Sequence, residues 1–162
     1  MSCRPSPPFR NDATARANGR DTSTTIGGRQ TDVLARHPFP LAGLLALVTL
    51  PLHLVLPPAV SVAFASTVLA LIGGIYIGFA LLDGRLDVIA RECLVGLAFV
   101  SFASVSATLA PQLLPLGYIA HGLWDAAHRP HRLDLAMPRG YVPFCALYDV
   151  LAGVGLWLIW SL

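Results

Sequence analysis

From Pro40 onward the chain is a succession of five apolar segments, near residues 39–58, 60–82, 88–110, 112–129 and 142–161, joined by short connections. Each is roughly long enough to cross about 30 Å of hydrocarbon as a helix. Inside a bilayer the backbone has no water to bond to, so a segment of this kind satisfies its own N–H and C=O groups by coiling. Only 12% of the residues are charged and 55% are hydrophobic, about half the charged share of an ordinary soluble domain. The expectation is an all-α integral membrane helix bundle of about five transmembrane helices, residues 38–162. A bilayer would be its first partner. Pro51 interrupts the first segment and Pro57-Pro58 ends it, because proline lacks a donor and clashes with the preceding turn. Gly74-x3-Gly78 in the second segment has the spacing that lets helices approach closely.

Residues 1–37 differ in kind. They are rich in Arg, Ser, Thr, Gly and Pro and show neither helical nor strand periodicity, which predicts a disordered cytoplasmic tail. No apolar stretch begins before about residue 41, so a secretory signal is not expected. Asp12, Asp21 and Asp32 argue against an organellar transit peptide.

All eleven basic residues are arginines and the net charge is +2, too little to imply a nucleic-acid partner. Their placement speaks to topology. Six lie in the tail, Arg85 and Arg91 at the second connection, and Arg129, Arg132 and Arg139 at the fourth; the first and third connections have none. The positive-inside rule then predicts a multi-pass cell-membrane protein with its N-terminus in the cytoplasm and its C-terminus outside. Cys3, Cys93 and Cys145 are odd in number and far apart, so no disulfide framework is expected. Cys93 beside Glu92 and Cys145 one turn before Asp149 leave thiolate ligation as an alternative.

With that topology, Asp83, Asp87, Glu92, His121, Asp125, His128, His131 and Asp149 all fall in the cytoplasmic half, and the outer half holds only His53. His121, Asp125 and His128 stand at i, i+4 and i+7, within about 60° of one another around a helix. Ionisable groups in a span cost about 2.5–3.5 kcal/mol each on insertion scales, so a stripe of three suggests a site. Measured from the span ends, His121 and Asp149 lie at matching depth, as do Asp125 and Glu92 at a shallower layer. Imidazole and carboxylate together suit zinc, iron or manganese. The expected metal set is His121, Asp125 and His128, with Asp125, Glu92 and Asp149 as the catalytic carboxylates. A plainer reading remains beside it: His128 caps its helix, Asp83 and Asp87 pair with Arg85 and Arg91, and His121 with Asp125 is interhelical packing glue.

The run His121-Gly-Leu-Trp-Asp125-Ala-Ala-His128, followed by Tyr141-Val-Pro-Phe-Cys-Ala-Leu-Tyr-Asp149, resembles the C-terminal half of a family of small bacterial and fungal membrane proteins of unassigned function. Their pattern is HGxWDxxHH and then PxFCxxYD. The likeness covers about Ile75 to Leu162, and Arg129 stands where the family has its second paired histidine. A His-Gly-x-x-Asp string in a helix is also similar to the membrane-embedded carotene-cleaving dioxygenases, whose iron is held by histidines; the resemblance implies at most an analogous metal.

Two functions follow as expectations. One is a metal-dependent enzyme acting on a lipid or other apolar small molecule from the cytoplasmic side. The other is a non-enzymatic membrane subunit or proton-linked carrier component, which with about five spans would be a homo-oligomer.

Overall fold

The computed structural model describes residues 33–128, 137, 138 and 140–162. Most of the expected tail, and with it Arg129, His131, Arg132 and Arg139, lies outside the described residues; residues 33–36 form one helical turn. Among the described residues there is no strand. The elements are α1 (Pro38–Thr49), α2 (Leu52–Val55), α3 (Pro58–Asp83), α4 (Leu86–Leu109), a 3₁₀ turn (Pro111–Leu113), α5 (Leu114–Ala127) and α6 (Tyr141–Trp160).

Prolines set several of these boundaries. Pro51 sits at the start of the short α2, and the extended Leu56 together with Pro57 stops it before α3 begins at Pro58. Gly84 ends α3 in a left-handed conformation, φ 80°, which an L side chain adopts only at a cost. Across that turn Arg85 Nε bonds Asp83 Oδ1 at 2.7 Å.

Among the described residues, four helical stretches are long and apolar enough to cross a membrane: Pro38–Val55, α3, α4 and α6, of 18, 26, 24 and 20 residues. The fourth apolar segment differs from expectation. Its helix, α5, has only 14 residues, about 21 Å, because Pro111 and Pro115 allow nothing better than a 3₁₀ turn at its start.

The helices pair chiefly as α3 with α4 and α5 with α6, and α1 lies along α6. Close approach comes from small residues. A Cβ added at Gly96 would stand 2.9 Å from the Gly73 carbonyl oxygen, and one at Gly73 would stand 2.6 Å from Phe99 Cβ. The Gly74–Gly78 pair does not make this contact: a Cβ at either would meet nothing within 4 Å. The glycine that packs is one residue earlier, on the adjacent face.

The distribution of polarity is the reverse of a water-soluble domain. Leu47, Leu82, Leu97 and Leu109 are exposed on the flanks, while Glu92, His121, Asp125 and Asp149 are buried. Such an exterior suits hydrocarbon, and such an interior confines the expensive groups to one another's company.

The helix ends remote from those acids are tied by a smaller network. Ser61 Oγ lies 2.8 Å from His53 Nδ1 and accepts a bond from Trp160 Nε1 at 3.1 Å. Removing this hydroxyl takes the partner from a buried imidazole and from a half-buried indole N–H. Ser61→Ala is expected to cost about 1–3 kcal/mol, seen as a lower thermal midpoint in detergent.

Candidate functional site

Four helices contribute: Tyr76 from α3, Glu92 from α4, His121 and Asp125 from α5 with His128 at its C-cap, and Asp149 from α6. The α5–α6 approach sets the critical distance. A Cβ on Gly122 would lie 3.1 Å from the Ala146 carbonyl oxygen, and one on Gly153 would lie 2.7 Å from that of Pro115. With only hydrogens at these two positions the backbones close, and His121 Nδ1 comes to 2.7 Å from Asp149 Oδ2.

His121, Asp125 and Asp149 form the core of the site. Each offers a ligand atom such that the three lie within 4.8 Å of one another, and relative exposures are 1%, 0% and 1%. His121 Nδ1 lies 2.7 Å from Asp149 Oδ2 and 3.7 Å from Asp125 Oδ2, so one ring nitrogen faces both carboxylates. Tyr76 Oη–H donates to Asp125 Oδ1. What remains is unpartnered: His121 Nε2, Asp125 Oδ2 and Asp149 Oδ1 are buried with no hydrogen-bond partner. The two orphan carboxylate oxygens, beside an imidazole nitrogen that faces both side chains, are what a cation or added protons would satisfy.

His128 is placed elsewhere. Seven residues of helix put it about 10 Å along the axis from His121, and the convergent group of ligand atoms does not include it. Its Nδ1–H donates to the Trp124 carbonyl oxygen at 3.0 Å, closing the end of α5, and its Nε2 lies 3.2 Å from Glu92 Oε1. Since Nδ1 must carry a hydrogen to bond a carbonyl, the Nε2–Glu92 contact requires one more proton on either partner. Arg91 Nε also donates to Glu92 Oε1, at 2.9 Å. Thus the acids and imidazoles divide into two layers. His121, Asp125 and Asp149 form one; His128, Glu92 and Arg91 form the other.

Tyr76 joins the layers, and the sequence reading passed over it. Its hydroxyl bonds Asp125, while its ring stacks on His128 with centroids 4.4 Å apart and 27° between planes. A tyrosine within an apolar segment reads as core or interface anchor; only the facing residues of α5 reveal its use. Phe99 closes another side, its ring edge-on to His121 at 4.9 Å. Cys93 and Cys145 are free thiols, and the convergent ligand group contains neither.

Compared with profiles of protein families, with curated proteins and with solved structures, the chain gives no match. The chemistry of the site therefore stands on its geometry.

Proposed function

We propose that this chain is an integral membrane protein whose buried His121, Asp125 and Asp149 hold a divalent metal ion, and that the ion serves an enzymatic reaction on an apolar substrate. What supports this is a buried group in which two carboxylates with unpartnered oxygens flank His121, the three offering ligand atoms within 4.8 Å of one another. Two carboxylates and a neutral imidazole carry a charge that one divalent cation balances; unbalanced, they would cost several kcal/mol. Zinc, iron and manganese all accept nitrogen and carboxylate oxygen. Glu92 and His128 then act one layer away as a proton-holding pair next to the ion's pocket. On this reading α5, extended by its 3₁₀ turn to about 27 Å, crosses as the fifth span. The arginine pattern supports an N-terminus and a polar half of the bundle on the cytoplasmic side.

The test is elemental analysis of protein purified in detergent without added metal or chelator. Wild type is expected to carry zinc, iron or manganese equimolar with the chain, and His121→Ala to carry none while keeping its helical circular dichroism. Metal-free wild type that stays so after incubation with each of the three ions would sink the reading.

A second reading draws on the hydrogen-bonded run from Tyr76 through Asp125 toward His121 and Asp149, beside a Glu92–His128 contact that must hold a proton. In it protons balance the carboxylates, and the chain is a subunit or proton-linked carrier component that works as an oligomer. It predicts no metal and an assembly larger than a monomer in detergent.

A further inference from the structure

A second polar feature lies at the end of the bundle remote from the acids, where prolines interrupt the helices. Pro51, Pro57 and Pro58 leave only the short α2 between α1 and α3, and Pro111 starts the 3₁₀ turn that precedes α5. Where these stretches meet the end of α6 a cavity of about 600 Å³ remains, lined by apolar side chains such as Leu54 and Ile159 and by His53, Ser61, Gln112 and Trp160. The volume falls in the range of small-molecule sites. Among the described residues no charged side chain lines it; Asp83 closes the far end of α3, about 33 Å along the axis from Ser61.

His53 is held on three sides. Its Nδ1 lies 2.8 Å from Ser61 Oγ, and its ring packs against those of Phe64 and Trp160, with centroids 5.5 and 6.2 Å away. Only 8% of the residue is exposed. The second ring nitrogen, Nε2, has no hydrogen-bond partner among the described residues. It differs from His121 Nε2 in that it is not occluded, and the cavity is the space that the side chain lines. A polar group so buried is costly unless something bonds it. Either tautomer can be met by a hydroxyl, which accepts from an N–H or donates to a lone pair, whereas a carbonyl oxygen meets only the first. A carboxylate or phosphate would find no fixed cation in the cavity to balance it.

We propose that this cavity binds an uncharged lipid alcohol, a hydroxyl on a hydrocarbon body, with the hydroxyl bonded to His53 Nε2 and the hydrocarbon against Leu54 and Ile159. The imidazole is already fixed by Ser61 and the two aromatic rings, so little side-chain freedom is lost when the ligand arrives. Lying at helix ends, the cavity sits where a bilayer holds the hydroxyl of such a lipid, beside rather than within the hydrocarbon. The site is separate from the His121, Asp125 and Asp149 group and does not rest on the metal reading.

Binding of radiolabelled decan-1-ol to the detergent-purified protein tests it. Saturable binding is expected, with unlabelled decan-1-ol competing at least about fivefold better than decane, which lacks the hydroxyl, and at least about tenfold better than decanoate, which replaces it with a charge. His53→Phe keeps a ring and removes the nitrogen, so decan-1-ol should bind it only as well as decane does, while decane binds as before; a merely structural loss would weaken both. Leu54→Trp, at a cavity-wall position that is 61% exposed, should fill the cavity and weaken binding about tenfold with the thermal midpoint unmoved. His121→Ala should bind decan-1-ol as wild type does, so this site and the metal site fail separately. Displacement of decan-1-ol by cholesterol would assign the site to polycyclic alcohols and displacement by dioctanoylglycerol to glycerides, either result supporting the proposal. Displacement by neither, equal competition by decane, stronger competition by decanoate, or unaltered binding in both His53→Phe and Leu54→Trp would overturn it.

Discussion

Asp149→Asn is expected to abolish metal binding, whereas His128→Ala leaves the metal equimolar with the chain. The contrast is sharp because sequence spacing alone ranks these residues the other way round. Asp149 contributes twice: Oδ2 accepts from His121 Nδ1, and Oδ1 is an orphan facing the same space. An amide in its place lacks one negative charge and presents a donor where a lone pair is needed, so both the ion's balance and the imidazole's orientation suffer. His128 meets Glu92 and the Trp124 carbonyl instead. Its loss should appear as lowered stability, about 1–3 kcal/mol from stranding Glu92, with the ion in place. The thermal midpoint offers a second readout. Chelator should lower it in wild type, where two buried carboxylates lose their cation, and should leave Asp149→Asn unmoved. If Asp149→Asn retains metal, or His128→Ala loses it with the fold intact, the ligand set is not His121, Asp125 and Asp149.

How much of this is legible in the letters can be judged from particular residues. Segment lengths locate the helices because hydrophobic thickness is a one-dimensional constraint, and most boundaries carry a proline or glycine, the end of α6 at Trp160 being an exception. The stripe of His121, Asp125 and His128 is equally one-dimensional, and it is correct about angle. It is silent about depth: which of the three shares a site depends on what neighbouring helices bring to each level, and α6 brings Asp149 to the level of His121 while α4 brings Glu92 to that of His128. Counting residues from the span ends anticipates the first match but pairs Glu92 with Asp125. An offset of one turn is enough to change the partner. Tyr76 is invisible for a related reason, since its neighbours are nearly fifty residues away. Gly74 and Gly78 carry a familiar spacing, yet the contact uses Gly73, because the face an apolar helix turns inward is chosen by its partners when almost every face is apolar.

The second large effect is expected at a residue that touches no ion. Gly153→Leu should remove bound metal and destabilise the bundle, although residue 153 is one turn from Asp149 and offers no ligand. A Cβ there would stand 2.7 Å from the Pro115 carbonyl oxygen and 2.8 Å from Ile119 Cγ1. The first of these is backbone and has nowhere to go, so α5 and α6 must separate. Overpacking of this kind costs about 1–3 kcal/mol. Metal binding should suffer more than stability, because the His121–Asp149 contact spans the same interface and tolerates little: a shift of about 1 Å turns a 2.7 Å hydrogen bond into no bond at all. The matching control is Gly78→Leu, where an added side chain meets nothing within 4 Å of its Cβ and faces outward on α3; metal content and thermal midpoint should both stay near wild type. Measured together by elemental analysis and thermal unfolding, the pair asks whether the α5–α6 distance governs the site. A Gly153→Leu protein that holds its metal as tightly as wild type would mean that the two helices reach their working separation by some other means than the bare backbone at this position.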